Sequence, residues 1–262
     1  MALLPGPCQT GQPCGMPTFS TAAVVAAAFL LAGLVKGTIG LGLPTVAVGL
    51  LGLVMPPAQA TALLIVPSLV TNAWQLLAGP RSGGLLRRLW PMMLGICAGT
   101  WMGAGWLTGG GAGRTEAALG AALIAYAAFG LAGLPLRVPR RAEPFLSPII
   151  GLSNGLLTAA TGTFVLPGVP YLQALGLERE NLIQALGLSF TVSTLALTAN
   201  LARDGAFMPG VAGASLLALV PTLAGMAAGT WLRGRVHPQT FRRFFFLGLL
   251  GLGGHLLLRH VL

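Results

Sequence analysis

Charge is scarce in this chain. Five acidic residues stand against 15 basic ones, and charged residues make up 8% of the 262 positions. A soluble domain carries about 25%, so a water-facing surface cannot be covered from this stock. Lysine is rarer still, since Lys36 is the only one. Glu116, Glu143, Glu178, Glu180 and Asp204 all fall near predicted helix ends or loops, where a solvated surface is expected. No carboxylate stands in mid-helix, which removes the simplest proton relay and the acidic rings of a cation channel. Cys8, Cys14 and Cys97 make no metal-ligand set, and Cys8 would pair with Cys14 only in an oxidising compartment. His237, His255 and His260 show no H-E-x-x-H arrangement, and no nucleophile stands beside a base. An enzyme is therefore not expected, nor a cofactor or a metal.

Apolar residues and glycine are abundant. Hydrophobic residues make up 55% of the chain, glycine occurs 39 times, and the mean hydropathy is +0.82. The reading is an all-α polytopic membrane protein in a lipid bilayer, a multi-pass chain of the cell membrane. Segments centred near 20–35, 60–78, 89–107, 116–134, 145–160, 182–200, 208–231 and 241–260 approach the roughly 20 residues that span a bilayer. Their glycines suit close helix packing, which also raises the expectation of a homodimer. Residues 1–17, rich in proline, glycine and glutamine, read as a flexible tail without a cleavable signal. The net charge of +10 does not indicate nucleic acid, because the arginines lie in short clusters between apolar segments, as the positive-inside rule requires.

The chain echoes itself. Gly33-Leu-Val-Lys-Gly37 returns as Gly151-Leu-Ser-Asn-Gly155, and Gly52-Leu-Val-Met-Pro-Pro returns as Gly176-Leu-Glu-Arg-Glu-Asn. A first transmembrane repeat over 18–134 and a second over 145–262 follow, joined by a basic cytoplasmic linker at 135–144. With eight simple crossings, the basic stretch from Arg233 to Arg243 would fall opposite the clusters at Arg81 to Arg88 and Arg137 to Arg141, against the positive-inside rule. Two inverted repeats, each beginning with a broken or re-entrant helix pair, restore the rule. The pairs are Thr18 to Val35 with Leu41 to Leu53, and Phe145 to Ala159 with Phe164 to Gly176. The second member of each is short for a full crossing.

The first break, Lys36-Gly-Thr-Ile-Gly-Leu-Gly-Leu-Pro44, can form an oxyanion pocket. Gly37, Gly40 and Gly42 free the backbone, the next helix offers N–H groups, Thr38 adds a hydroxyl and Lys36 adds charge. Two readings of Lys36 stay open: an anion contact, or a snorkelling orientation signal. The second break supplies only neutral donors, Asn154, Thr158, Thr161, Gly162 and Thr163. Ser68, Asn72 and Gln75 share a helix face, with Asn72 the foremost candidate because its amide is costly to expose to lipid. Gln184, Ser189, Thr191, Ser193 and Asn200 are their counterparts in the second half.

These motifs resemble the sulfite exporter TauE/SafE family of membrane permeases. The resemblance runs from about Ala22 to Leu257. It rests on Gly33-x-x-x-Gly37-x-x-Gly40-x-Gly42-x-Pro44, on Ala60-Thr61 through Pro67 and Asn72, and on Gly151-x-x-x-Gly155, Gly162, Pro167 and the stretch from Gln184 to Ser193. It implies movement of a small inorganic or organic sulfur oxyanion, such as sulfite, thiosulfate, sulfoacetate or a related organosulfonate, across the cytoplasmic membrane of a prokaryote. The expected mechanism is alternating access; an anion channel or a non-transporting structural subunit are the alternatives. The second motif departs from the family pattern, with Thr161 and Thr163 flanking Gly162 where a further glycine is usual.

Overall fold

The structure is a computed structural model and describes residues 19–78, 82–109, 111–133, 136–206, 209–233, 235 and 238–261. The N-terminal tail with Cys8 and Cys14, together with Arg81 and His237, lies outside the described residues. Among the described residues every regular element is a helix: α1 Phe19–Ile39, α2 Leu43–Leu51, α3 Pro57–Leu77, α4 Ser82–Met102, α5 Trp106–Gly109, α6 Ala112–Ala132, α7 Glu143–Thr161, α8 Gly168–Ala174, α9 Arg179–Arg203, α10 Pro209–Arg233 and α11 Pro238–Val261. Helices α1, α3, α6, α9, α10 and α11 are each long and apolar enough to cross a membrane. The chain is a multi-pass membrane protein.

Its outer surface carries the signature of a lipid solvent. Trp74, Trp90, Trp101, Trp106 and Trp231 are all exposed, along with Leu217, Val220 and Phe244. Aromatic belts of this kind sit at the two interfaces of a bilayer. The polar side chains go inward instead. Asn72, Asn154, Gln184 and Ser193 are fully buried.

Both breaks fall within the stretches the repeat motif marked, the first narrower than expected because α1 runs on through Lys36 to Ile39. Helix α1 stops at Ile39 because Gly40 and Gly42 take positive φ of 88° and 99°, a left-handed backbone that glycine adopts without strain. Pro44 then opens α2, whose nine residues are nearly all buried and too short to cross a bilayer. Helix α7 stops at Gly162, with φ 71°, and the buried α8 follows. The short α5 is an element that the apolar pattern did not mark out.

Helix packing follows glycine. Helix α1 lies parallel to α10: a Cβ on Gly33 would meet the Thr222 carbonyl at 2.2 Å, and one on Gly229 would meet the Leu34 carbonyl at 2.1 Å. Helix α7 lies parallel to α4 in the same way, with Gly151 against Met92 and Gly99 against Leu152 at 2.2 and 2.1 Å. Such contacts, backbone to backbone, are the means by which small residues hold membrane helices together without a hydrophobic driving force. Helices α6 and α11 pack antiparallel, Gly130 meeting Phe246 and Gly120 meeting Gly253. Helices α3 and α9 cross antiparallel at the centre, joined by Gln75 to the Ile183 carbonyl at 2.9 Å and Gln184 to the Leu76 carbonyl at 2.9 Å. Pro67 inside α3 removes an N–H from the helix ladder, and Ser215 of α10 repairs it by donating to the Leu63 carbonyl at 2.7 Å and accepting from Val66 N at 3.0 Å.

Candidate functional site

Lys36 sits one turn before the first break and is 4% exposed. Its ammonium donates to Thr71 Oγ1 at 3.0 Å and to Asn72 Oδ1, both on α3. Asn72 Nδ2 donates onward to Ser68 Oγ at 2.9 Å, and Ser68 shares a hydrogen bond of 3.2 Å with Thr194 of α9. A polar chain therefore runs from α1 through α3 to α9. Every partner of the ammonium in it is a neutral oxygen. The ion pair found among the described residues is elsewhere, between Arg88 and Glu143 at 2.6 Å. That pair corrects the expectation of a solvated Glu143, because its side chain is only 12% exposed.

An ammonium has three N–H donors, and two of these are committed to α3. Lys36 also lines a cavity of about 380 Å³ with Thr71, Trp74, Gln75, Glu180 and Arg233. A second cavity, of about 350 Å³, shares Gly40, Ile183 and Arg233 with the first and adds Arg179, Arg242, Tyr126 and Gln173. Together they form a vestibule lined by four cations, Lys36, Arg179, Arg233 and Arg242, and one carboxylate, Glu180. A vestibule with that excess concentrates anions.

The arginines are positioned by helix ends. Arg233, the last residue of α10, donates to the Gly37 carbonyl at 2.6 Å and to the Thr38 carbonyl at 3.0 Å, which satisfies the carbonyls at the end of α1. Arg242 near the start of α11 donates to the Gly130 carbonyl near the end of α6 at 3.0 Å. Arg88 near the start of α4 grips Glu143 at the start of α7. The ends of α1, α3, α6 and α10 and the starts of α4, α7, α9 and α11 thus share one face, hereafter the arginine-rich face. Gln75 Nε2 reaches the Gly40 carbonyl at 3.2 Å and ties the first break to α3.

The sequence candidates separate into two groups. Lys36, Gly37 and Gly40 line the cavity, and Asn72 is bonded to Lys36. Thr38 turns away, donating to the Leu34 carbonyl at 2.8 Å, and Gly42 packs beside Phe245. Asn154, Thr158, Thr161, Gly162 and Thr163 gather around the second break, apart from that cavity. There Asn154 Oδ1 accepts from Gly168 N at 3.2 Å, Thr158 donates to the Asn154 carbonyl at 2.7 Å, and Thr161 bonds Thr163 at 2.8 Å. Gly162 leaves room for Thr61, whose Oγ1 would lie 2.0 Å from a Cβ there. Thr71 and Arg179 join the site without having been singled out for it, and Arg233 and Arg242 were assigned only to loop orientation. Thr71 could have been found by its place beside Asn72, and Arg233 by its position one turn after the Gly225-x-x-x-Gly229 crossing.

A model described as sulfite exporter TauE/SafE matches residues 25–256. No curated protein and no solved structure matches the chain.

Proposed function

Since the chain belongs to the sulfite exporter TauE/SafE family, we propose that it moves a small sulfur oxyanion such as sulfite, thiosulfate or an organosulfonate across a prokaryotic cytoplasmic membrane by alternating access, with Lys36 as the charged contact. The observation that carries this reading is a buried ammonium bonded only to neutral oxygens, beside an arginine-lined vestibule. Desolvating a charge costs several kcal/mol unless a counter-charge is near, and an oxyanion supplies one. The tetrahedral or pyramidal oxygens of such an anion also match the third N–H of Lys36 and the remaining guanidinium donors of Arg233.

The direction of the helices supports two inverted repeats. Helix α1 ends on the arginine-rich face, whereas its counterpart α7 begins there; α3 and α9, and α6 and α11, are likewise opposed. Beyond Lys36, the buried Asn72, Ser68 and Thr194 are hydrogen-bonded in series, which supports a route packed shut on that side. A route open on one side and packed on the other suits a carrier, in which one half rocks against the other. By the positive-inside rule the arginine-rich face is cytoplasmic.

Uptake of labelled sulfite and sulfoacetate into proteoliposomes, wild type beside Lys36→Ala, tests the reading. Loss of a charge-assisted hydrogen bond is worth about 1.5–3 kcal/mol, so initial uptake at subsaturating anion should fall by about 10- to 150-fold. Wild-type vesicles that move neither anion, or a variant that moves them as well as wild type does, would refute it.

A further inference from the structure

The packing that holds the two halves together also relates their residues one to one. Gly33 and Gly37 lie on Met226 as Gly151 and Gly155 lie on Ile96, and Gly225 and Gly229 lie on Leu34 as Gly95 and Gly99 lie on Leu152. Lys36 therefore corresponds to Asn154, and Thr230 to Thr100. Helices α3 and α9 start alike, after Pro56 and Glu178 in the same extended conformation, which pairs Thr71 with Ser193, Ala78 with Asn200 and Thr61 with Ile183. Lys36, Thr71, Ala78, Ile183 and Thr230 all line the first cavity. Their images are Asn154, Ser193, Asn200, Thr61 and Thr100.

Those images are the residues whose buried side chains hold an unpartnered polar atom among the described residues: Asn154 Nδ2, Ser193 Oγ, Asn200 Oδ1, Thr61 Oγ1 and Thr100 Oγ1. All are at most 3% exposed. Direct contacts tie them to one region. Asn200 Nδ2 donates to the Thr100 carbonyl at 2.6 Å, Gly155, next to Asn154, packs on Thr100 N, and Gly162, at the end of the same helix, packs on Thr61. Ser193 stands two turns before Asn200 on the same face of α9. Buried polar groups normally find partners, so a cluster of this kind marks a place built for a ligand or for solvent in another state.

We propose that these residues form a second, charge-free binding site for the transported oxyanion, on the face opposite the arginines, which opens when the Lys36 cavity closes. The proposal rests on the transport reading above. The donor set favours an anion over a cation. Asn154 Oδ1 is occupied by Gly168 N–H, so its NH2 group faces inward where Lys36 places an ammonium in the other half. Three hydroxyls add donors, and Asn200 Oδ1 is the single acceptor-only atom, suited to a protonated oxygen of the anion. An inward-facing amide NH2 would repel a metal cation.

The test uses full-length protein with Cys8, Cys14 and Cys97 replaced by alanine, carrying Thr71→Cys, Ser193→Cys or Thr100→Cys, in oriented proteoliposomes. A membrane-impermeant maleimide is added to one face at a time, with and without sulfoacetate, which does not consume the reagent. The expected result is labelling of Thr71→Cys from the arginine-rich face and of Ser193→Cys and Thr100→Cys from the other, each slowed at least about fivefold by saturating sulfoacetate. Thr100→Cys serves as the second position if Ser193→Cys does not fold. Labelling of both α9 and α4 positions from the arginine-rich face, absence of labelling from either face, or labelling that sulfoacetate does not slow would overturn the second site. Protection of Thr71→Cys alone would leave the transport reading standing while removing this one; protection at neither face would remove both.

Discussion

Substituting Gly229 by alanine places a methyl group 2.1 Å from the Leu34 carbonyl oxygen, where ordinary contacts begin at 3.4 Å. The obstacle is helix backbone, which cannot rotate aside, so α1 and α10 must part by about 1 Å at the crossing. Overpacking of this kind costs about 1–3 kcal/mol. Arg233 stands one turn further along α10, and its bonds to the Gly37 and Thr38 carbonyls, now 2.6 and 3.0 Å, stretch towards the limit of hydrogen bonding. Gly99→Ala is the matched control: its methyl would lie 2.1 Å from the Leu152 carbonyl, but Gly103 occupies the place that Arg233 holds in the other half. Both variants should lower the midpoint of thermal unfolding in detergent by a few degrees, about 2–4 °C per kcal/mol for a chain of this size. Only Gly229→Ala should also weaken sulfite binding titrated from the arginine-rich face, by about five- to tenfold. An unshifted midpoint for Gly229→Ala would refute the packing argument. An equal loss of affinity in both variants would refute the role given to Arg233.

Lys36→Met separates function from stability. The thioether fills the space of the stem and removes a buried charge; Thr71 keeps its own donation to the Pro67 carbonyl at 2.7 Å, while Thr71 Oγ1 and Asn72 Oδ1 each lose the ammonium as a donor. Unfolding stability should stay within about 2 kcal/mol of wild type while sulfite uptake falls at least about tenfold, and uptake that merely tracks the amount of folded protein would contradict the site. Arg233→Gln should raise the sulfite concentration for half-maximal uptake by about tenfold, because it removes a cavity cation and the cap on α1 together; an unchanged value would place Arg233 outside the pathway. Glu143→Gln should lower the thermal midpoint by a few degrees without moving that concentration, since the Arg88 pair joins α4 to α7 away from the cavity.

Much of the fold was written in positions that only glycine and proline can fill. Gly40, Gly42 and Gly162 stop helices by positive φ, and Pro44 restarts one, so both breaks could be read from composition and spacing. The glycine pairs were legible as small residues, but not as partners. Nothing local to Gly33-x-x-x-Gly37 says that it meets Gly225-x-x-x-Gly229, in the other half of the chain, because the pairing depends on which helices the core brings side by side. The site divided for the same reason. Lys36 stands out in any reading because an ammonium in an apolar run is expensive, and Asn72 because its amide needs a partner. Arg179, Arg233 and Arg242 carry no such mark: a basic residue at a helix end fits the positive-inside rule whether or not it also faces a cavity.

The two halves match in packing and differ in charge, and the difference follows from what each break must hold. At the first break the end of α1 presents carbonyls, and a cation from α10 is needed to satisfy them; Arg233 does so and simultaneously faces the vestibule. At the second break Asn154 itself holds the start of α8 through Gly168 N–H, and Gly103 stands where an arginine would be. An anion on the arginine-rich side would therefore meet a full positive charge on Lys36, and on the other side an amide and hydroxyls in the same arrangement. Charge-assisted hydrogen bonds are roughly twice as strong as neutral ones, so the two faces should bind one anion with unequal affinity through equivalent geometry. Lys36→Asn, which gives the first half the residue of the second, should bring the two affinities together, and persistence of the inequality would show that the arginines alone create it.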